Sequence, residues 1–162
     1  VFAKTSKAAS RLSDQVRTRS LKKTYQAVLC GQPQKSAATL KDWLIKDEKT
    51  NRVRTVPPAS PKAKEAILHY QILGESEGLS LVQIQLETGR SHQILVQFAS
   101  RQLSLWGDQR YNPKARPGQQ IALWATSLTL QHPITHESMT FACSLPNSYP
   151  WNLFSHSNQK GD

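Results

Sequence analysis

The sequence predicts an α+β fold in which a mixed, largely antiparallel sheet is flanked by helices. Segments 22–30 and 81–86 alternate apolar and polar residues with a period of two, as strands with one wet face do. Segment 94–99 instead carries its apolar residues at helical spacing. The two periods together indicate a sheet whose apolar face packs against helices.

The length of 162 residues suits one domain, which we predict over residues 1–154, with a disordered tail at 155–162. The formal net charge of +10 favours a polyanionic partner. Residues 1–36 hold eight basic side chains against one acidic one, a net of +7. This basic segment is either a solvated helix face or a surface that meets RNA, and the charge pattern leaves both open.

The chain is predicted to begin with a helix from Ser6, whose apolar side includes Leu12 and Val16. The strand at 22–30 follows. A tyrosine on a strand, such as Tyr25, is usually a packing residue.

Residues 31–61 are polar and rich in turn formers, so we predict a surface excursion there. Within it, the charged stretch 47–52 is predicted to turn, and the proline-rich stretch 57–61 to form an extended linker.

Strands are next predicted at 66–72 and 79–86, joined as a hairpin through residues 74–78. Two further strands are predicted at 121–130 and 139–145.

The most informative stretch is the corner between the strand that ends near Gly89 and the helix that follows it. We expect Ser91 to cap that helix, which leaves Arg90 at the junction. Free helix N–H groups and a guanidinium can both meet an anion there. A plain strand-to-helix turn with a solvated arginine fits the same pattern.

The string Gly-Arg-Ser-His-Gln-Ile at 89–94 resembles the Gly-Arg-Thr/Ser-His-Gln-Ile/Leu-Arg motif of the RluA-type RNA pseudouridine synthases. Three further pieces match that family in order and spacing, namely 23–27, 107–111 and 121–125 leading to His132-Pro133. The resemblance covers nearly the whole chain and implies the catalytic-domain fold of those enzymes.

The resemblance also implies an activity, the isomerisation of uridine to pseudouridine in RNA, with no cofactor and no metal. Tyr25 matches the tyrosine that stacks on the base and is placed to take the C5 proton, and Arg90 matches the arginine that pairs with the catalytic aspartate. Leu123 lies where an aliphatic residue lines the uracil pocket, and Lys23 is a candidate phosphate contact. His92 joins the substrate-binding set, either as an acid–base group or as a hydrogen-bonded residue that shapes the corner.

The sequence departs from the family at its front, because the family's catalytic aspartate lies in a His-Arg-Leu-Asp segment that would fall just before Val1. Since position 1 is also not Met, we expect the natural protein to begin further upstream and the chain as written to be inactive. Leu95 replaces a usual arginine, and Gln97 and Trp124 stand where histidine is common. Such changes fit either variation within a subgroup or drift in an inactive copy.

The predicted partner is RNA, either rRNA or tRNA, in the cytoplasm or in an organelle of a eukaryote. Two alternatives remain. One is a non-catalytic RNA-binding relative of the same fold, and the other is a basic domain that contacts a protein or ribosomal surface.

Metal and membrane sites are not predicted. His132 and His136 have the spacing of two ligands on one helical turn, but Pro133 disfavours a helix there. No apolar run approaches the roughly 20 residues of a membrane span. Cys30 and Cys143 are expected to be reduced core residues.

Overall fold

The structure, a computed structural model, describes residues 1–155. Its elements in chain order are α1 (Ser6–Arg17), β1 (Lys22–Cys30), β2 (Ala37–Asp47), β3 (Arg52–Val56), β4 (Lys64–Ser76), β5 (Leu79–Leu86), α2 (Gln93–Ala99), β6 (Leu123–Gln131), β7 (Ser138–Ala142) and a final 3₁₀ helix (Trp151–Phe154).

The seven strands form one sheet in the order β3-β2-β4-β5-β1-β6-β7. The predicted α+β class is confirmed. All strand pairings within residues 1–155 are antiparallel, so the parallel part of a mixed sheet is not found there. The predicted strand at 22–30 and the predicted hairpin, now β4 and β5, are confirmed as well.

The prediction of a surface excursion over residues 31–61 is wrong, because β2 and β3 occupy most of it. Leu40, Leu44 and Val53 are buried, while the residues between them are mostly exposed. Polar side chains on the wet face hide this alternation from a reading of composition alone. The turn near 47–52 is confirmed, but 57–61 is a tight turn rather than an extended linker.

The sheet carries an apolar core on each face. One core, here called the first core, lies under α2 and includes Leu29, Ile84 and Phe98. The second core contains Val28 and is closed by Trp151. Each large side chain removed from water contributes about 1.5–3 kcal/mol of hydrophobic stabilisation, so the sheet is held from both sides.

Helix α1 begins at Ser6 as predicted, with Thr5 as its N-cap, and it has no buried residue. It is tied to the sheet mainly through Gln15, whose amide exchanges hydrogen bonds of 2.7 and 2.8 Å with the backbone of Gln131. A second contact is made by Arg11 of α1, whose guanidinium donates to the carbonyl of Pro133. The basic side chains of α1 therefore stand on a lightly attached, exposed element.

The chain end and the cysteines complete the comparison with the predictions. Ser155 ends the last helix, and the remaining residues of the predicted tail, 156–162, lie outside the described part. Cys30 borders the second core, but the prediction of a core position for Cys143 is wrong, because it follows the edge strand β7 and is exposed. Among residues 1–155, no helix is long and apolar enough to cross a bilayer.

Candidate active site

The corner between β5 and α2 differs in detail from its prediction. Strand β5 ends at Leu86, and α2 begins only at Gln93. The predicted cap at Ser91 is wrong. His92 occupies the N-cap position with a left-handed φ of 50° and makes no side-chain cap hydrogen bond. The two residues after Arg90 are thus used for a turn, closed by a 3.2 Å hydrogen bond from the Gln93 amide to the Arg90 carbonyl.

A buried polar network fixes this corner. The side-chain oxygen of Gln93 accepts hydrogen bonds from the Thr88 hydroxyl at 2.8 Å and from the Arg90 amide at 2.9 Å. Its Nε2 donates to the carbonyl of Ile67 at 3.0 Å. Gln93 and Thr88 are 3% and 4% exposed, so these bonds form away from water, where breaking one leaves a costly unpaired group.

Arg90 is anchored by only part of its guanidinium. Its Nε donates to the carbonyl of Glu65 on β4 at 2.9 Å. Within residues 1–155, neither terminal nitrogen makes a hydrogen bond and no carboxylate lies within ion-pair distance. This geometry suits a second, anionic partner, because a guanidinium binds a carboxylate or phosphate through paired N–H groups.

Tyr25 lies on β1, opposite Ile84 of β5 and Ala125 of β6. It is half-buried and packs against the first core. Burial raises the pKa of its phenol, so the neutral form prevails at ordinary pH. Because Thr24 pairs with Gln85, Tyr25 stands close to the end of β5 where the corner begins.

Leu123 lies on the same face as Tyr25, since it pairs with Ala27 across β1 and β6. Leu123 and Leu95 are both partly buried at the rim of the first core, as Tyr25 is. The structure thus brings Tyr25 and Leu123 together, with Leu95 on the same apolar rim.

Lys23 is exposed and lines a cavity of about 280 Å³ together with Tyr25, Phe141 and Cys143. The cavity is largely apolar, with the ammonium of Lys23 as its cation. Tyr25 therefore has one side on the core and one side on open space that a ligand can enter.

Gln97, which stands where histidine is common in the family, is fully buried. Its Nε2 donates to the carbonyls of Leu40 and Ala66, both at 3.2 Å, and to Asp42 Oδ2 at 2.7 Å. It ties α2 to β2 and β4, so this departure from the family pattern has a structural role here.

His92 is held by Tyr111, a residue of the matched motif to which the sequence assigned no role. The Tyr111 hydroxyl accepts a hydrogen bond from the amide of Val53 at 2.9 Å and lies 2.8 Å from His92 Nδ1. The hydroxyl proton is then free to donate to Nδ1, which assigns the imidazole proton to Nε2. Burial, followed by the charges of Arg110 and Lys46, lowers the pKa of His92.

This lowered pKa has a consequence for stability. Because its pKa is lowered, His92 stays neutral in the folded protein to a lower pH than in the unfolded chain, where it takes up a proton below about pH 6.5. The stability linked to His92 is therefore complete above that pH and is lost as the pH falls towards its folded pKa.

Asparagine tolerates the left-handed backbone at position 92. We expect the free energy of unfolding of His92→Asn to fall less than that of the parent when the pH is lowered from about 7.5 to 5.5. Urea unfolding across that range measures the difference. Parallel pH curves for the two proteins would contradict the assignment of a partly buried histidine with a lowered pKa.

Asp108 anchors Tyr111 in turn. Its carboxylate is 2% exposed, and Oδ1 accepts the amides of Arg110 at 2.9 Å and Tyr111 at 3.3 Å. Tyr111, Gln93 and Thr88 are the site residues that the sequence missed. The matched motifs contain two of them, but only spatial contacts reveal what they hold.

In the described part of the chain, no three His, Cys, Asp or Glu side chains are grouped to hold a metal ion. His132 lies in a turn, where its Nδ1 accepts the amide of Thr135 at 3.1 Å.

These features define an α+β domain with an arginine corner suited to an anion and, on strand β1, a tyrosine that faces an open cavity. A family model described as RNA pseudouridylate synthase matches residues 1–100. The chain belongs to this family, and its motifs are those of the RluA type.

Named relatives agree with that assignment. The chain is 34% identical over 148 residues to an uncharacterised RNA pseudouridine synthase of Bacillus subtilis, covering 90% of this chain and 48% of the relative. It is 31% identical over 163 residues to the ribosomal large subunit pseudouridine synthase D of Pasteurella multocida, covering 92% and 49%. The chain thus spans about half the length of the curated relatives it matches.

Solved structures show the same fold. The human RNA pseudouridylate synthase domain containing 1 superposes with a TM-score of 0.74 at 22% identity, covering 89% of this chain and 62% of that one. The human RNA pseudouridylate synthase domain containing 4 gives a TM-score of 0.71 at the same identity.

Proposed function

We propose that this domain isomerises uridine to pseudouridine in RNA, as part of a longer protein that supplies a catalytic carboxylate. In this reaction the N1–C1′ bond breaks, the uracil turns, and a C5–C1′ bond forms. C5 loses a proton and N1 gains one, so no atom or electron is left over. The reaction needs no cofactor to balance it.

The observation that carries the proposal is the half-anchored guanidinium of Arg90. The Glu65 carbonyl fixes the side chain through Nε, and the terminal nitrogens make no hydrogen bond within residues 1–155. A carboxylate delivered to this corner would be paired and oriented for attack at the sugar, as electrostatic preorganisation requires. A positioned carboxylate also keeps its charge, because the arginine favours the ionised form.

Tyr25 supplies the second part of the site. Its ring offers a flat face for uracil, and its phenol is neutral in the resting enzyme because burial raises its pKa. We assign Tyr25 the C5 proton, which it accepts while its own hydroxyl proton passes on to solvent or to the base. This relay needs the hydroxyl and does not need a resting phenolate.

The remaining residues shape and hold the substrate. Leu123 provides apolar packing beside Tyr25, and Lys23, which lines the cavity that Tyr25 faces, offers an ammonium to a phosphate. His92 acts through the hydrogen bond to Tyr111, so we assign it to shaping the corner rather than to proton transfer.

We propose structured RNA as the substrate. The names of the relatives favour rRNA, with tRNA as the other class. The proposed location is the cytoplasm, or an organelle in a eukaryote.

The decisive experiment joins an Arg-Leu-Asp-containing segment upstream of Val1 and measures tritium release from RNA labelled at uridine C5. We expect the joined protein to turn over and Tyr25→Phe in it to lose about 10²–10⁴-fold in kcat with little change in KM, because phenylalanine keeps the stacking face but not the proton path.

An Asp→Asn change in the supplied segment is the matched control, and it should be inactive. Full turnover by Tyr25→Phe would refute the role of Tyr25. Salt-dependent RNA binding without turnover in the joined parent would favour the non-catalytic RNA-binding relative instead.

A further inference from the structure

The β2–β3 hairpin presents a second group of cations beside the corner, away from the basic segment at the start of the chain. Five exposed basic residues belong to it, namely Lys46, Lys49, Arg52, Arg54 and Arg110. We call this group the hairpin rim.

The hairpin rim is built on an ordered frame. The Asp47 carboxylate accepts the amides of Lys49 at 2.9 Å and Thr50 at 3.4 Å, which fixes the turn. A reciprocal contact then latches the hairpin to the neighbouring loop. Arg110 Nη1 donates to the Asn51 carbonyl at 2.6 Å, and Arg52 Nη2 donates to the Arg110 carbonyl at 3.3 Å.

The frame continues to the candidate active site. The amide of Val53, in the same hairpin, donates to the Tyr111 hydroxyl, which lies 2.8 Å from His92. Burial is the main cause that lowers the pKa of His92, and the charges of Arg110 and Lys46 lower it further, so two rim cations act on the corner. A chain of hydrogen bonds therefore joins the hairpin to the corner that holds Arg90.

The rim has more positive charge than its own acids neutralise. Glu48 pairs with Lys46 at 2.7 Å, and the carboxylate of Asp47 is engaged by the turn. Within residues 1–155, no carboxylate lies within ion-pair distance of the other four cations. Lys49 and Arg54, moreover, use no side-chain atom in a hydrogen bond there.

We propose that the hairpin rim binds phosphates of the RNA strand that flanks the target uridine, and so sets the register in which that uridine meets Arg90 and Tyr25. The proposal rests on the proposed function. Guanidinium groups bind phosphate oxygens through paired N–H groups, and such contacts position a nucleic acid without reading its sequence.

A simpler explanation of the same charges is protection of a sheet edge, because β3 is the outermost strand and edge strands often carry charge against aggregation. Edge protection requires neither the latch to the loop at 107–111 nor a fixed link to the corner. It also predicts no contribution to RNA binding, so an experiment separates the two explanations.

Helix α1 provides a matched control surface. It is attached beside β6, which is five strand positions from β3 in the sheet order. At about 4.8 Å per strand this is roughly 24 Å, well beyond the Debye length of about 10 Å at 0.1 M salt. Lys4, just before α1, and Lys7, within it, are exposed, and removing them costs the same net charge as removing two rim cations.

The test measures binding of fluorescent polyuridylate to the joined protein against salt concentration. We expect Lys49→Gln/Arg54→Gln to flatten the slope of log K against log salt by about 1.4, or 0.7 for each lost phosphate contact on a single strand. Lys4→Gln/Lys7→Gln should keep the parent slope. In turnover, the rim variant should raise KM, because it loses phosphate contacts that hold the RNA.

An unchanged slope in the rim variant, or an equal fall in the α1 variant, would overturn the proposal. The first result would support edge protection, and the second would mean that net charge alone sets binding. Since neither rim side chain holds the fold, equal urea midpoints are expected and confirm that the variants are comparable. The binding readout does not depend on turnover, so failure here is distinct from failure of the Tyr25 experiment.

Discussion

Arg90→Ala in the joined protein is expected to lose at least about 10³-fold in kcat while remaining folded. The loss is large because the variant removes both the charge and the paired donors that would hold the catalytic carboxylate. It gives up one protein contact, the bond from Nε to the Glu65 carbonyl, worth about 1 kcal/mol of stability. Tritium release and urea unfolding measure the two effects separately.

Two companion variants sharpen this prediction. Arg90→Lys keeps the charge without the fork of donors, and we expect it to recover only part of the lost rate. Arg116→Ala removes an exposed arginine of the loop at 113–118 and should leave kcat unchanged. Normal turnover by Arg90→Ala would show that the corner does not orient the carboxylate.

The strands that are buried on both faces over part of their length are the ones that the sequence predicts well. In β1, Ala27 and Leu29 face the first core while Val28 faces the second, so every position after Gln26 is apolar and the pattern still marks a strand. In β5, the positions from Leu79 to Val82 are all buried, so both faces of the strand are covered there. Most buried positions in these two strands hold apolar residues, so the strands can be predicted from the sequence.

β2 was not predicted, because its burial depends on one face only and that face is interrupted. Leu40 and Leu44 are buried, but Asp42 lies between them, where it pairs with Arg101 at 2.9 Å and accepts a hydrogen bond from Gln97. A carboxylate at a core-facing position breaks the alternation that signals a strand. The partners of Asp42 are Gln97 in α2 and Arg101 just after α2, and both lie more than 50 positions along the chain.

In the candidate site, too, the sequence predicts the local features and misses the long-range contacts. The motif at 89–94 locates Arg90 and His92, since these residues are contiguous in sequence. It does not reveal the Glu65 carbonyl that anchors Arg90, 25 positions away, or the Tyr111 hydroxyl that links His92 to a strand amide 58 positions from Tyr111. Local sequence fixes which groups are present, and long-range packing decides what each one can bind.

Gly107→Ala should be among the most destabilising single changes in the chain. Gly107 has φ +73°, and a Cβ there would overlap the carbonyl oxygen of Gln120. That backbone cannot retreat freely, because the next residues are hydrogen-bonded to the loop through the Ala122 amide and the Trp106 carbonyl at 2.9 Å.

We expect Gly107→Ala to cost on the order of 3 kcal/mol in the free energy of unfolding, from the strained backbone together with the steric overlap. Gly118→Ala is the matched control, since its φ of +82° carries the same backbone strain but a Cβ there meets nothing within 4 Å. Urea unfolding of both variants isolates the steric overlap as the difference between their unfolding free energies.

The overlap at Gly107 should also change the pH dependence of unfolding. Gly107 precedes Asp108, which positions Tyr111 and through it His92, so we expect the change in Gly107→Ala and not in Gly118→Ala. Equal losses of unfolding free energy in the two variants would mean that the Gln120 backbone moves to make room for the Cβ, despite the hydrogen bond between the Ala122 amide and the Trp106 carbonyl.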